Sequence, residues 1–151
     1  MAYGFAVHMV NLSFHHVGVG TTNFDGAIEL YVALGHRLHS RVDDPGLNVR
    51  IAFLACPGGQ GPWIEILSPL NPGGPLDSLI ARQFLPSPYH TCYGVDDLDV
   101  AAKELRGKSF LPAGPARPAL AFANARVQFF YPSAIGLLEL VERPPPWPLA
   151  V

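Results

Sequence analysis

Sliding the chain on itself by 74 residues, without a gap, superimposes two copies of one pattern. His16 falls on His90, Gly20 on Gly94, Phe24 on Leu98, Asp25 on Asp99, Ala27 on Ala101 and Glu65 on Glu139. A repeat of that length constrains the fold more than any single motif, because each half must build the same supersecondary unit and bury its apolar face against the other. Each half reads β-α-β-β-β by hydrophobic period. In the first, about residues 12–70, Leu12–Gly20 is strand-like, and Thr22 or Asn23 can cap a helix from Phe24 that stops at Gly35. Strands follow at His36–Val42, Leu47–Ala55 and Pro62–Leu67, divided by DDPG and PGGQG turns. A Pro/Gly-rich connector, SPLNPGGP, and a short amphipathic segment, Leu76–Phe84, lead to the second half, about residues 86–143. There the strands are Tyr89–Val95, Lys108–Leu111, Asn124–Tyr131 and Leu137–Val141, with a helix at Asp97–Arg106. The tail, ERPPPWPLAV, is too rich in proline to extend a sheet. The expected architecture is α+β, with residues 1–151 forming one domain from two paired βαβββ modules.

Composition removes several function classes. Charged residues make up 15% of the chain, against about 25% in an average soluble domain. Ten Lys and Arg against twelve Asp and Glu give a net charge of −2, with no basic run. Nucleic-acid binding needs a dense basic face, so it is excluded from the expected partners. Two cysteines, Cys56 and Cys92, cannot form a disulfide framework. No apolar stretch reaches the roughly 18 residues that cross a bilayer. No basic residue precedes Arg37, so Met1–Val10 lacks the charged start of a secretory signal and the expected location is the cytoplasm.

Four of the residues preserved by the repeat carry metal-ligand chemistry. Glu65 in WIEIL and Glu139 in LLELV are each a lone carboxylate inside an apolar strand. Burying such a group as an unpaired ion costs several kcal/mol, so something cationic should face each of them. Taken singly, a strand histidine is usually structural and a strand glutamate usually points to solvent. Here His16 lies 49 residues before Glu65, and His90 lies 49 before Glu139. Two imidazoles and two carboxylates contributed symmetrically form a donor set for one divalent ion, of zinc, nickel, cobalt, manganese or iron. Period-2 alternation puts Trp63 on the face of Glu65, as pocket wall or core, and Cys92 on the face of His90 as a small core thiol. The same alternation turns His15 away from His16, as a structural residue. Arg50 and its repeat partner Asn124, with Arg126 and Gln128 beyond, would offer donors to a substrate carboxylate or carbonyl if they face the same cup.

HHVGVG, RIAFLACPGGQGPWIEILSPLNPGGPLDSL, YHTCYGVDDLD and GLLELVE together resemble the vicinal oxygen chelate (glyoxalase/bleomycin resistance/dioxygenase) superfamily, and within it the methylmalonyl-CoA epimerase-like branch. The likeness runs from about Leu12 to Glu142. It implies a cupped, incomplete eight-stranded barrel around one divalent metal held by His16, Glu65, His90 and Glu139. It also implies a homodimer, a small carbonyl or acyl-thioester substrate, and isomerase or epimerase chemistry at the carbon beside the carbonyl, with Glu65 and Glu139 moving protons. Where epimerases of this branch carry one of two opposed bases, this chain has Arg50. That departure keeps two alternatives open: a natural-product tailoring enzyme with lyase, cyclase or decarboxylase chemistry on the same metal site, and a metal-free binding or resistance protein. Retention of all four ligand residues weighs against the second.

Overall fold

Both long helices start at the side chains suited to cap them. A computed structural model describes residues 11–82 and 85–144 of the chain. The apolar start Met1–Val10, the last two residues of the segment Leu76–Phe84 and the proline-rich tail from 145 onward therefore lie outside the described residues. After strand β1 (Ser13–Gly20), Asn23 caps helix α1 (Phe24–Ala33), its side-chain oxygen accepting from Gly26 N at 3.2 Å. Gly35, at φ +92°, ends that helix as expected. Strands β2 (Arg37–Asp44), β3 (Val49–Ala55) and β4 (Trp63–Pro69) complete the first module. The connector carries a short helix, α2 (Asp77–Ala81). The second module runs β5 (Ser87–Val95), α3 (Leu98–Gly107), β6 (Arg117–Ala119), β7 (Ala125–Phe130) and β8 (Leu137–Glu142). Asp97 caps α3, accepting from Val100 N at 3.0 Å.

All eight strands form one sheet in the order β2-β3-β4-β1-β5-β8-β7-β6. Within each module the first strand pairs in parallel with the last, β1 with β4 and β5 with β8. The antiparallel pair β1–β5 joins the modules at the centre. The expected α+β cup of paired βαβββ modules is thus the observed one. Asp44, buried at the end of β2, accepts from Leu47 N at 3.0 Å and from Leu120 N, just beyond β6, at 2.9 Å. That link ties the two edges of the sheet together and holds the cup curled.

Each face of the sheet buries a different core. On the outer face, Phe24 and Ile28 of α1 pack on Ala52, Leu54 and Ile66, while Leu98, Ala101, Ala102 and Leu105 of α3 pack on Phe130, Leu138 and Leu140. Each fully buried large side chain contributes about 1.5–3 kcal/mol. On the inner face, Val49, Ile51, Phe53, Trp63, Leu67, Cys92, Val127 and Val141 form a third cluster with Phe122. Among the described residues no helix is long and apolar enough to cross a membrane.

One strand differs from expectation. The sequence places it at Lys108–Leu111, but β6 begins at Arg117. Leu111 and Ala113 do bond beside β7, through Tyr131 N to Leu111 O and Ala113 N to Phe129 O, both at 2.8 Å. Pro112 and Pro115 lack the N–H a ladder needs, and Gly114 turns at φ +130°, so regular pairing starts only after them.

Candidate metal centre

The parallel pairs β1–β4 and β5–β8 bring the four symmetric residues together at the floor of the cup. His16 stands beside Trp63 in register and Gly18 beside Glu65, while His90 and Cys92 pair with Leu137 and Glu139. His16, Glu65, His90 and Glu139 are 0%, 2%, 4% and 3% exposed. His16 Nε2 lies 3.0 Å from His90 Nε2, 3.1 Å from Glu65 Oε2 and 3.2 Å from Glu139 Oε2. His90 Nε2 lies 3.2 Å and 3.3 Å from the same two oxygens. Yet neither carboxylate Oε2 makes an aligned hydrogen bond. Two nitrogens and two oxygens converge on a common point instead of pairing off.

That arrangement fits a divalent cation. Donors bound at about 2.1 Å, at angles between octahedral and tetrahedral, lie roughly 3.0–3.4 Å apart. The donor set of two imidazoles and two carboxylates suits a borderline first-row ion. A second feature fixes the His90 ring. A Cβ added at Gly18 would overlap the His90 imidazole, so the missing side chain of Gly18 is the space in which that ring lies. Tyr89 and Phe129 meet it edge-on, with centroids 4.7 Å and 5.8 Å away. Gly18→Ala is therefore expected to displace His90, destabilise the fold by about 1–3 kcal/mol and weaken metal binding. Thermal melting and metal titration of the variant check both effects, and unchanged binding would contradict the role given to this glycine.

Burial disfavours the charged form of every member of the quartet, but the opposite charges outweigh it. Glu65 and Glu139 hold the His16 imidazole up to about 9 and also raise His90. In return the imidazoles hold both carboxyls below the usual carboxylate range. Without a metal, the two carboxylates thus favour the protonated form of the imidazoles that face them.

Other sequence-expected site residues go elsewhere. Arg50 is on the outer face: Nε donates to Asp43 at 3.0 Å and the guanidinium lies 5.7 Å from the Phe24 ring centroid of α1. Arg126 is also on the outer side, bonded to Asp99 of α3 at 3.1 Å and to Glu142 at 2.8 Å. Gln128 is buried, donating to Gly114 O at 2.9 Å, and Asn124 is an exposed turn residue at φ +64°. Cross-strand register gives the reason. Phe53 sits opposite Glu65, and Phe129 opposite Glu139, so odd-numbered residues of β3 and β7 face the cup and even-numbered ones face out. Arg50→Glu therefore adds no base to the cup. It is expected to lower stability only slightly, through the lost exposed Asp43 pair, and to leave metal affinity unchanged; a gain in turnover would contradict this placement.

Trp63 is core, packed against Phe53 and His39 with centroids 6.3 Å and 5.4 Å away, and does not line the cavity. Cys92 is buried in the inner cluster, and burial pushes its thiol well up, so it stays a neutral packing group. His15 is not turned away from His16: a β-bulge brings their Nδ1 atoms to 2.8 Å.

Above the quartet the cup encloses about 940 Å³. Val49, Ile51, Leu67, Phe122, Val127, Phe129 and Leu137 line its walls, and Glu65 and Glu139 are its only lining carboxylates among the described residues. Arg82 and Arg117 also line it, both exposed. Sequence reasoning missed these two cations and the aromatic walls. Arg117 opens the displaced β6 and Phe122 follows it, whereas Val127 and Phe129 were legible as the alternate face of β7.

Residues 15–129 match the family model described as the Glyoxalase/Bleomycin resistance protein/Dioxygenase superfamily. No curated protein sequence matches the chain. Among solved structures, methylmalonyl-CoA epimerase from Mycobacterium tuberculosis superposes with a TM-score of 0.79 at 27% identity, covering 92% of this chain and 93% of that one. A hypothetical protein from Bacillus halodurans C-125 gives 0.77 at 25% identity, covering 88% and 95%. A Streptomyces coelicolor methylmalonyl-CoA epimerase in complex with 2-nitronate-propionyl-CoA gives 0.74 at 22%, covering 87% and 98%; at that identity the likeness concerns the fold.

Proposed function

The chain belongs to the glyoxalase/bleomycin resistance/dioxygenase superfamily, and from that premise we propose that it is a divalent-metal-dependent isomerase or epimerase acting at the carbon beside a carbonyl. The observation that carries the proposal is the pair of buried Oε2 atoms, Glu65 and Glu139, converging with two imidazole nitrogens and lacking aligned partners. His16, His90, Glu65 and Glu139 would hold one ion of zinc, nickel, cobalt, manganese or iron. When bound, the ion supplies Lewis acidity to a substrate carbonyl oxygen, which acidifies the neighbouring C–H. Glu65 and Glu139 are then the cup's bases. A carboxylate there takes the proton from that carbon and returns it at another face or position. The apolar walls exclude water, which strengthens the attraction between charges on the floor.

The substrate is a small carbonyl compound or acyl thioester. Arg82 and Arg117 suit one with an anionic group far from the reacting carbon. Changing both arginines to Ala is expected to raise KM about 10-fold or more while changing kcat little, because those contacts serve ground state and transition state alike. An unaltered KM would remove them from substrate binding. The homodimer that the resemblance implies and a cytoplasmic location belong to the same proposal; sedimentation of the purified protein tests the former.

The test is proton–deuterium exchange. Protein loaded with Zn²⁺ or Co²⁺ is mixed with methylmalonyl-CoA in D₂O. Deuterium at the carbon beside the thioester, without loss of substrate, supports the isomerase reading. Consumption of substrate to a smaller acid or a ring points to lyase or cyclase chemistry. Absence of metal from protein grown with these ions points to a binding protein.

A further inference from the structure

We propose that His15 is a positioning residue for this centre: its Nδ1 accepts the Nδ1–H of His16 and so fixes the tautomer that leaves His16 Nε2 free to bind a metal. The inference rests on the reading of His16 as a ligand. His15 Nδ1 and His16 Nδ1 are 2.8 Å apart. Two ring nitrogens that close need one proton and one lone pair between them. His16 turns its Nε2 toward Glu65, Glu139 and His90. A neutral imidazole that ligates through Nε2 carries its proton on Nδ1. The lone pair must then come from His15.

The backbone brings this about through an irregularity. Pairing of β1 with β5 steps from Phe14 opposite Tyr93 to His16 opposite Cys92, which leaves His15 out of the ladder. Its ring swings inward against Phe53 and Phe122, with centroids 6.3 Å and 5.7 Å away, and these two rings also flank His16. The other module lacks the device. Tyr89 precedes His90, and His90 Nδ1 has no hydrogen-bond partner among the described residues. One ligand ring is thus oriented by an acceptor, the other by contact with the bare Cα of Gly18.

Two variants of the full chain separate orientation from packing. His15→Phe keeps a ring of similar size and removes the acceptor. His15→Asn keeps an acceptor oxygen near the position of Nδ1. Zn²⁺ titrated against a competing chelator is expected to bind the Phe variant about 10–100-fold more weakly than wild type, and the Asn variant within a few-fold of wild type. In unsubstituted protein loaded with Zn²⁺, long-range ¹H–¹⁵N spectra should show the His16 proton on Nδ1 and the His15 proton on Nε2. That spectrum decides the matter even if the Phe variant fails to fold. Wild-type affinity in His15→Phe, or a His15 proton on Nδ1, would overturn the role of His15 and leave the metal site standing, whereas a His16 proton on Nε2 would remove His16 from the ligands and overturn both. Failure of the wild type to bind Zn²⁺ at all would overturn both.

Discussion

Replacing Glu139 by glutamine is expected to lower turnover by about 10³-fold or more while leaving the cup folded. Glutamine has nearly the same shape and keeps a carbonyl oxygen where Glu139 presents Oε2 to both imidazoles. What it lacks is the negative charge and the capacity to take a proton. Only Glu65 and Glu139 line the cavity as carboxylates among the described residues, so no other side chain of that type stands ready to take over. Glu65→Gln should be similarly damaging if the proton passes between the two carboxylates, and milder if Glu65 only holds the ion. Deuterium exchange measures the loss, and circular dichroism with thermal melting confirms the fold. Undiminished exchange in Glu139→Gln would take that carboxylate out of the reaction.

Metal affinity should depend on pH more steeply than any other property of the protein. Without metal, His16 holds its proton up to about 9 and His90 is also raised, because Glu65 and Glu139 face both. A ligating imidazole must be neutral, so binding one ion displaces the His16 proton. Each displaced proton costs a factor of ten per pH unit, giving about a 10-fold loss of affinity or more for each unit of acidification below about 9. Zn²⁺ titrations at about pH 6, 7 and 8, in buffers of different ionisation enthalpy, read both the slope and the proton count. Independence of affinity from pH over that range would mean that the two imidazoles are already neutral. Stability should respond oppositely in the two states. The folded-state value of His16 lies above its unfolded value of 6.5, so in chelator-treated protein its contribution is fully present below 6.5 and fades as pH rises through about 9. Metal-loaded protein should not share that alkaline loss, since deprotonation there favours ligation.

The quartet could be read from the chain because a gapless repeat keeps register: the 49-residue interval between His16 and Glu65 recurs between His90 and Glu139, and parallel pairing of first and last strands brings each pair together. Other parts could not be read so. Alternation says that Arg50 and Ile51 point in opposite directions, but not which of them meets the cup; that is settled by Phe53 lying across from Glu65. The same ambiguity put Arg126 and Gln128 in the cup, whereas Val127 and Phe129 are there. His15 broke the alternation because a bulge follows no simple sequence period. Strand β6 shifted because Pro112, Gly114 and Pro115 weigh more locally than the repeat frame does. Arg82 and Arg117 lie in a connector helix's end and a short edge strand, where no period marks which residues point inward.

The account rests on one ion shared by two strand pairs. The most direct test is diffraction from crystals grown with Co²⁺, with data collected on both sides of the cobalt absorption edge. The account predicts a single strong anomalous peak about 2.0–2.2 Å from His16 Nε2, His90 Nε2 and one oxygen each of Glu65 and Glu139. A peak elsewhere, or a bare quartet in which each carboxylate pairs directly with one imidazole proton, would contradict it.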